Sequence, residues 1–253
     1  MGLFGKLFER KVCDICGEEI KLLGNQKLED GNMCKTCAEK LSYWFDDRRN
    51  STVSQIKEQI NYREENKEKV AAFRTTRTLG ENMKILLDED AGRFMVTSAR
   101  DLQKANPDIL EFSDVTGCLV EVEEDKTEMM KEGKDGEEIS YKPPRYTYDY
   151  RFHITIQVRN PYFDEISFQI NDSSVELENV VGVANPARSA EYRKYKQMSD
   201  EMKDAILQMR KQAREEELAA ATPKKLVSCP YCGAQTIPDE KGCCEYCRGL
   251  INV

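Results

Sequence analysis

Hydrophobic positions recur with different rhythms along this 253-residue chain. From Thr52 the rhythm is helical. Val53, Ile56 and Ile60 fall on one face, and Thr52 followed by Gln55 has the form of a capping box. The stripe fades across "NYREENKEK" and resumes at Val70 and Phe73. This predicts two helices, 52–65 and 66–76, with Asn66 as a second N-cap and Gly80 as the stop.

From Lys84 the rhythm changes to strands. "KILLDEDAGRFMVTS" reads as a hairpin with the acidic tip Asp88–Gly92, followed by a short helix at 99–105 that Asn106-Pro107 stops. In "FSDVTGCLVEVEED" Cys118, Val120 and Val122 share a face. "EDKTEMMKEGKDGEEIS" is a charged loop or hairpin extension. "YTYDYRFHITIQV" alternates cleanly, with Phe152, Ile154, Ile156 and Val158 on one side and Arg151, His153, Thr155 and Gln157 on the other. "EISFQI" adds a strand with Ile166, Phe168 and Ile170 inward. A hairpin, further strands and a closing helix loosely resemble the pleckstrin-homology-like (PH-like) barrels.

That helix follows at 189–222. Tyr192, Tyr195, Ser199, Met202, Ile206, Met209 and Ala213 are spaced alternately three and four apart, a heptad-like stripe. At about 1.5 Å per residue its length is roughly 48 Å, more than a small barrel needs. The first half is expected to pack on the chain's own β-domain. The second half makes a homo-oligomer through a coiled coil an expectation.

Cysteine spacing adds what periodicity cannot show. Cys13-Asp-Ile-Cys16 and Cys34-Lys-Thr-Cys37 give C-x2-C-x17-C-x2-C, the spacing of a four-cysteine zinc site. Between the pairs, "IKLLGNQKLEDGN" reads as a hairpin, and "AEKLSYWF" after Cys37 has helical character. Knuckle, hairpin and helix together resemble a treble-clef zinc module. Near the C-terminus, "CPYCGAQTIPDEKGCCEYC" offers five cysteines for four positions. Matching Tyr231 with Tyr246 selects Cys229, Cys232, Cys244 and Cys247, a C-x2-C-x11-C-x2-C zinc ribbon, and leaves Cys243 spare. A segment this short cannot bury a useful core, so zinc supplies the folding free energy, on the order of 10 kcal/mol. Four protein sulfurs fill each shell, which points to two structural Zn²⁺ ions rather than catalytic ones.

The stretch "CDICGEEIKLLGNQKLEDGNMCKTCAEKL", followed by "FDDRRNSTVSQIKEQINYREENKEKVAAFRTTRTLG", resembles an uncharacterised bacterial family. In that family the region is catalogued as a domain of unknown function. The resemblance covers residues 10–80 closely and the rest loosely. It implies a zinc-bound module with ligands at Cys13, Cys16, Cys34 and Cys37, and it supplies no activity.

The fold class read from all this is an α+β multi-module chain. It comprises a zinc module at 1–50, a helical linker at 51–80, an acidic PH-like β-barrel or sheet at 81–188, the long helix at 189–222 and a zinc ribbon at 223–253. Apolar residues make up 40% and charged residues 33%, which suits small modules better than one large core. No apolar run is long enough for a membrane span or a secretory signal, so a cytoplasmic protein with metal-bound thiolates rather than disulfides is expected.

Charge and chemistry narrow the function classes. Residues 75–186 hold 23 acidic against 12 basic residues, a balance that repels phosphate backbones. The ribbon offers only Lys224, Lys225, Lys241 and Arg248 as cations. A zinc ribbon that binds nucleic acid is therefore the second reading, behind a non-enzymatic adaptor for an unidentified protein partner. Membrane association is a third, through Leu3, Phe4, Leu7 and Phe8 with Lys6, Arg10 and Lys11, or through the PH-like domain. No catalytic set is expected. His153 lies on a polar strand face, Cys118 is a core thiol, and the carboxylate runs 88–90, 123–125 and 137–138 read as solvated turns.

Overall fold

The structure, a computed structural model, describes residues 11–21, 23–221, 226–239 and 241–251. The chain divides into two compact units, Met1–Lys211 and Gln212–Val253.

The first unit opens on the four-cysteine module. Strands β1 (Gln26–Lys27) and β2 (Asn32–Met33) pair antiparallel, and helix α1 (Lys35–Ala38) follows at once. Gly31 is needed at the turn, because a Cβ there would sit 2.6 Å from Val53 Cγ2 and 2.8 Å from Asp14 Oδ2. The expected helix across "AEKLSYWF" is not formed, and α1 ends at Ala38. The hydroxyl of Ser42 donates to Asp108 Oδ2 at 2.8 Å and accepts from Trp44 N–H at 3.1 Å. Those two bonds turn the chain inward.

One helix, α2 (Val53–Ala72), replaces the predicted pair. Its capping box forms as expected: Gln55 N–H donates to Thr52 Oγ1 at 3.3 Å, and Thr52 N–H to Gln55 Oε1 at 2.8 Å. Asp30 Oδ1 accepts from Val53 N–H at 2.7 Å and ties the helix start to the module. The buried face runs Ile56, Gln59, Arg63, Asn66, Val70, still at helical spacing. Polar side chains occupy its middle, so the apolar rhythm fades while the helix continues. Asn66 is no cap. It lies buried mid-helix, donating to Asn106 Oδ1 at 2.9 Å and Pro107 O at 2.8 Å, and accepting from Ile109 N–H at 3.0 Å. Gly80 is not the stop either, because strand β3 (Arg77–Leu79) intervenes.

β4 (Lys84–Asp88) and β5 (Arg93–Thr97) form the predicted hairpin. Helix α3 (Leu102–Ala105) is shorter than expected and ends on Asn106, whose φ of 47° is left-handed. β6 (Leu110–Glu111) completes a four-stranded sheet in the order β3-β4-β5-β6. Buried Phe112 stacks on Phe94 at 5.7 Å, and the chain then enters a second sheet.

That sheet is built on β7 (Val115–Glu128), and a small hairpin, β8 (Met130–Glu132) with β9 (Glu138–Ser140), extends from it. β10 (Tyr146–Val158) pairs along its whole length with β7. Its other edge is shared by β11 (Glu165–Gln169) and β12 (Val175–Val180). Asn171 fills the gap between those two. Its side chain accepts from Phe152 N–H at 2.8 Å and donates to Tyr150 O at 3.0 Å, replacing ladder bonds. The inward alternation holds, with Phe152, Ile154, Ile156, Val158, Ile166, Phe168 and Ile170 all buried. Both sheets are open. The closed-barrel form of the expectation is not realised, because the two-residue β6 ends one sheet and β7 starts another without pairing to it.

Helix α4 (Ala190–Ala221) belongs to the first unit up to Lys211. Tyr192 packs edge-on against Tyr150 at 5.0 Å and Phe152 at 5.1 Å. Ser199, Met202, Ala205 and Ile206 are buried, whereas Met209 and Ala213 are only half-buried. In the second unit β13 (Val227–Ser228) pairs with β14 (Gln235–Thr236). The buried apolar core around them is Cys229, Cys244 and Ile251, with Val227 against it.

A buried ion pair joins α2 to the segment before β6. Arg63 Nη1 donates to Asp108 Oδ1 at 2.7 Å, with side-chain exposures of 7% and 2%. Arg63 Nη2 also donates to the Asn106 carbonyl. Burial pushes the Asp108 carboxyl above its ordinary range, although Arg63 and Ser42 pull it down. Arg63→Met should leave that carboxylate without a counter-charge and cost about 3–5 kcal/mol in urea unfolding at neutral pH. A carboxyl raised in the folded state holds its proton more tightly there, so stability falls as pH rises. The loss in Arg63→Met should therefore shrink in mildly acidic buffer. Wild-type stability at neutral pH would refute this role.

Candidate metal centres

Three of the four CxxC turns share one backbone geometry. In the first, Cys13 N–H donates to Glu18 O and Gly17 N–H to Cys13 O, each at 2.8 Å. In the second, Cys229 N–H donates to Ala234 O and Gly233 N–H to Cys229 O, each at 2.9 Å. In the third, Cys244 N–H donates to Gly249 O and Arg248 N–H to Cys244 O, again at 2.9 Å. The residue after each pair has positive φ: 78° at Gly17, 73° at Gly233 and 61° at Arg248. Glycine suits that position, and Arg248 holds it under strain.

The fourth turn differs. Cys34 is the N-cap of α1 and Cys37 lies within it. Its Cys34 N–H reaches across to the other pair, 3.3 Å from Cys13 Sγ. The N-terminal centre is therefore one knuckle plus one helix start, and the C-terminal centre is two facing knuckles.

Each centre gathers four sulfurs. The Sγ atoms of Cys13, Cys16, Cys34 and Cys37 lie within 4.8 Å of one another, as do those of Cys229, Cys232, Cys244 and Cys247. Measured pairs are 3.9 Å for Cys13–Cys37, 3.8 Å for Cys16–Cys34, 3.6 Å for Cys229–Cys247 and 3.7 Å for Cys232–Cys244. These are far beyond a disulfide bond of about 2.05 Å. Thiolates placed tetrahedrally about 2.3 Å from a zinc ion would be about 3.8 Å apart. Both sets fit that size, and each can hold one metal ion.

The electrostatics favour a cation. Burial pushes the Cys13 thiol up, but the amides of Cys16, Cys34 and Ile15 outweigh it and bring it down to about 6. At Cys244 the amide of Cys247 overcomes burial and, with that of Tyr246, brings the thiol down to about 7. Cys16, Cys37, Cys232 and Cys247 resist ionising beside those thiolates. The Gly249 amide favours the Cys247 thiolate, yet burial and the neighbouring sulfurs hold that thiol up at about 12. Burial, then the other three sulfurs, push Cys37 up as well. A divalent cation offsets this repulsion and displaces the protons.

Cys243 stands outside the C-terminal group. Its N–H donates to Asp239 Oδ1 at 2.7 Å, its Sγ lies 3.8 Å from Lys241 O, and it bridges to Leu250. It precedes the second knuckle as Ser228 precedes the first. Burial pushes the Cys118 thiol up to about 11, which leaves it an inert core group. His153 is on the polar face, with Nε2 3.7 Å from Glu123.

The carboxylate runs are not all solvated turns. Asp88 is buried and accepts from Arg74 N–H at 3.1 Å and Ala91 N–H at 3.2 Å. Glu123–Asp125 lie within β7, and Glu138 begins β9. The buried Arg63, Asn66, Asn106 and Asp108 network had no signature beyond the fading of an apolar stripe. The apolar positions proposed as a membrane anchor (Leu3, Phe4, Leu7, Phe8), with Lys6 and Arg10, lie outside the described residues, as do Lys224 and Lys225. Among the described residues no helix is long and apolar enough to cross a membrane.

Residues 11–59 match the family described as Domain of unknown function (DUF4428), a match that covers the first four-cysteine cluster and the start of α2. No curated protein and no solved structure matches the chain.

The geometry separates the two adjacent thiols. Cys244→Ser should lower metal affinity at the C-terminal centre by at least a hundredfold in a chelator competition, and Cys243→Ser by less than threefold. Equal losses would show that the cluster accepts either sulfur.

Proposed function

We propose that the protein is a zinc-stapled, non-enzymatic adaptor that recognises another protein. The observation that carries this reading is the closed donor set at both centres, four thiol sulfurs within 4.8 Å of one another. Four protein ligands complete a tetrahedral shell and leave no position for a substrate or an activated water. Zinc suits an all-thiolate tetrahedral set and brings no redox chemistry. The ions would shape the modules, and the modules would offer surface. Tyr43 is 80% exposed in the segment that follows the first centre, and Tyr231 and Tyr246 are 70% and 69% exposed on the two knuckles of the second. Exposed aromatic rings on rigid turns suit protein contacts.

The acidic balance of the central region favours a protein partner over a nucleic acid. A shift assay with DNA and RNA at low salt separates those readings, and tight binding there would favour nucleic acid. Flotation with anionic vesicles, with and without residues 1–11, tests the membrane reading.

Protein made in a reducing cytosol should carry about two equivalents of zinc by elemental analysis, one per four-cysteine group. A strong chelator should unfold the C-terminal ribbon, seen as loss of its dispersed amide signals. Affinity purification from the native host, with cross-linking, should retain a protein partner. Absence of metal with both modules still folded would sink the structural-zinc reading, and absence of any retained partner would sink the adaptor reading.

A further inference from the structure

Strand β7 is long, and one of its edges is open. Val115–Glu128 pairs with β10 alone, and among the described residues no other backbone group bonds to its second edge. From Leu119 to Glu128 every residue is exposed except Val120 and Val122, which are half-buried. A strand edge left open over ten residues is a template for a further strand.

The register with β10 sorts the side chains along that edge. Glu121 lies opposite His153, Glu123 opposite Arg151 and Asp125 opposite Asp149. Their carboxylates stand at every second residue on one face of the sheet. Val120 and Val122 lie opposite Ile154 and Phe152 on the other face. Arg151 reaches Glu123 at 3.3 Å and Asp125 at 2.7 Å from within the sheet. Lys126 is turned away on the apolar face, 3.9 Å from the Tyr146 ring centre. Leu119–Glu128 therefore carries five carboxylates against one ammonium. A second copy of this edge would bring carboxylates against carboxylates, which excludes simple edge-to-edge dimers.

We infer that the open edge of β7 docks an extended, lysine- or arginine-rich segment of a partner protein, added as a further strand with basic side chains at alternate positions over Glu121, Glu123 and Asp125. The apolar side chains between them would continue the surface of Val120 and Val122. The inference rests on the adaptor reading and names the chemistry of its partner.

The test uses the full chain with its metal bound. Its probes are a fluorescent ten-residue peptide of alternating lysine and valine, its glutamate–valine counterpart, and a peptide with as many lysines separated by prolines. The lysine–valine peptide should bind and slow amide exchange across 119–128, and the other two should bind at least tenfold more weakly. Glu121→Gln, Glu123→Gln and Asp125→Gln combined should weaken binding of the lysine–valine peptide about tenfold while the thermal midpoint and circular dichroism stay close to wild type. Equal binding of the proline peptide would show charge attraction without strand addition and overturn the inference. So would protection, in the free protein, of those amides at 119–128 that are not bonded to β10. No peptide binding, together with a native partner cross-linked to a four-cysteine module, would also overturn it and leave the adaptor reading standing.

Discussion

A guanidinium and a carboxylate shut away from water join the four-cysteine module, α2 and the segment before β6. Arg63 and Asp108 come from a helix and a loop 45 residues apart, and Ser42 reaches the same carboxylate from the four-cysteine module. One buried charge pair thus ties together three segments that also meet in apolar clusters, Ile56 with the four-cysteine module and Val70 with Ile109. Burying either charge alone would be strongly unfavourable, so the segments assemble together. The Asn66 and Asn106 amides complete the arrangement by satisfying the backbone of Pro107, Ile109 and Arg63.

The two metal centres use the same donor set in different scaffolds. The N-terminal one leans on a protein core, with Ile20, Leu28, Met33 and Ile56 buried beneath it. The C-terminal one has almost no core to lean on. A bound ion's share of the folding free energy would be correspondingly larger in the ribbon, and the ribbon would be the module most exposed to metal loss.

Acidity is concentrated where the sheet is least covered. The carboxylates of β7 face water along an open edge, and the apolar face of β10 receives Tyr192 and Tyr195 from α4. Half of α4 is thereby committed to the protein's own sheet. The stripe loses its burial after Ile206, although its spacing continues.

The sequence by itself determined the two four-cysteine sets, the alternation of β10, the Thr52 capping box and the long helix. Each of these is local: a thiol spacing, a period of two, a cap three residues from its partner. Sequence did not reveal that α2 runs unbroken through Asn66, that α1 stops at Ala38, or that Asp88 is buried. Those outcomes depend on partners distant along the chain, because a buried polar residue resembles an exposed one until its hydrogen bonds are known. Only the tertiary structure decided that the strands form two open sheets, because closure depends on which edges meet, and local periodicity does not encode that.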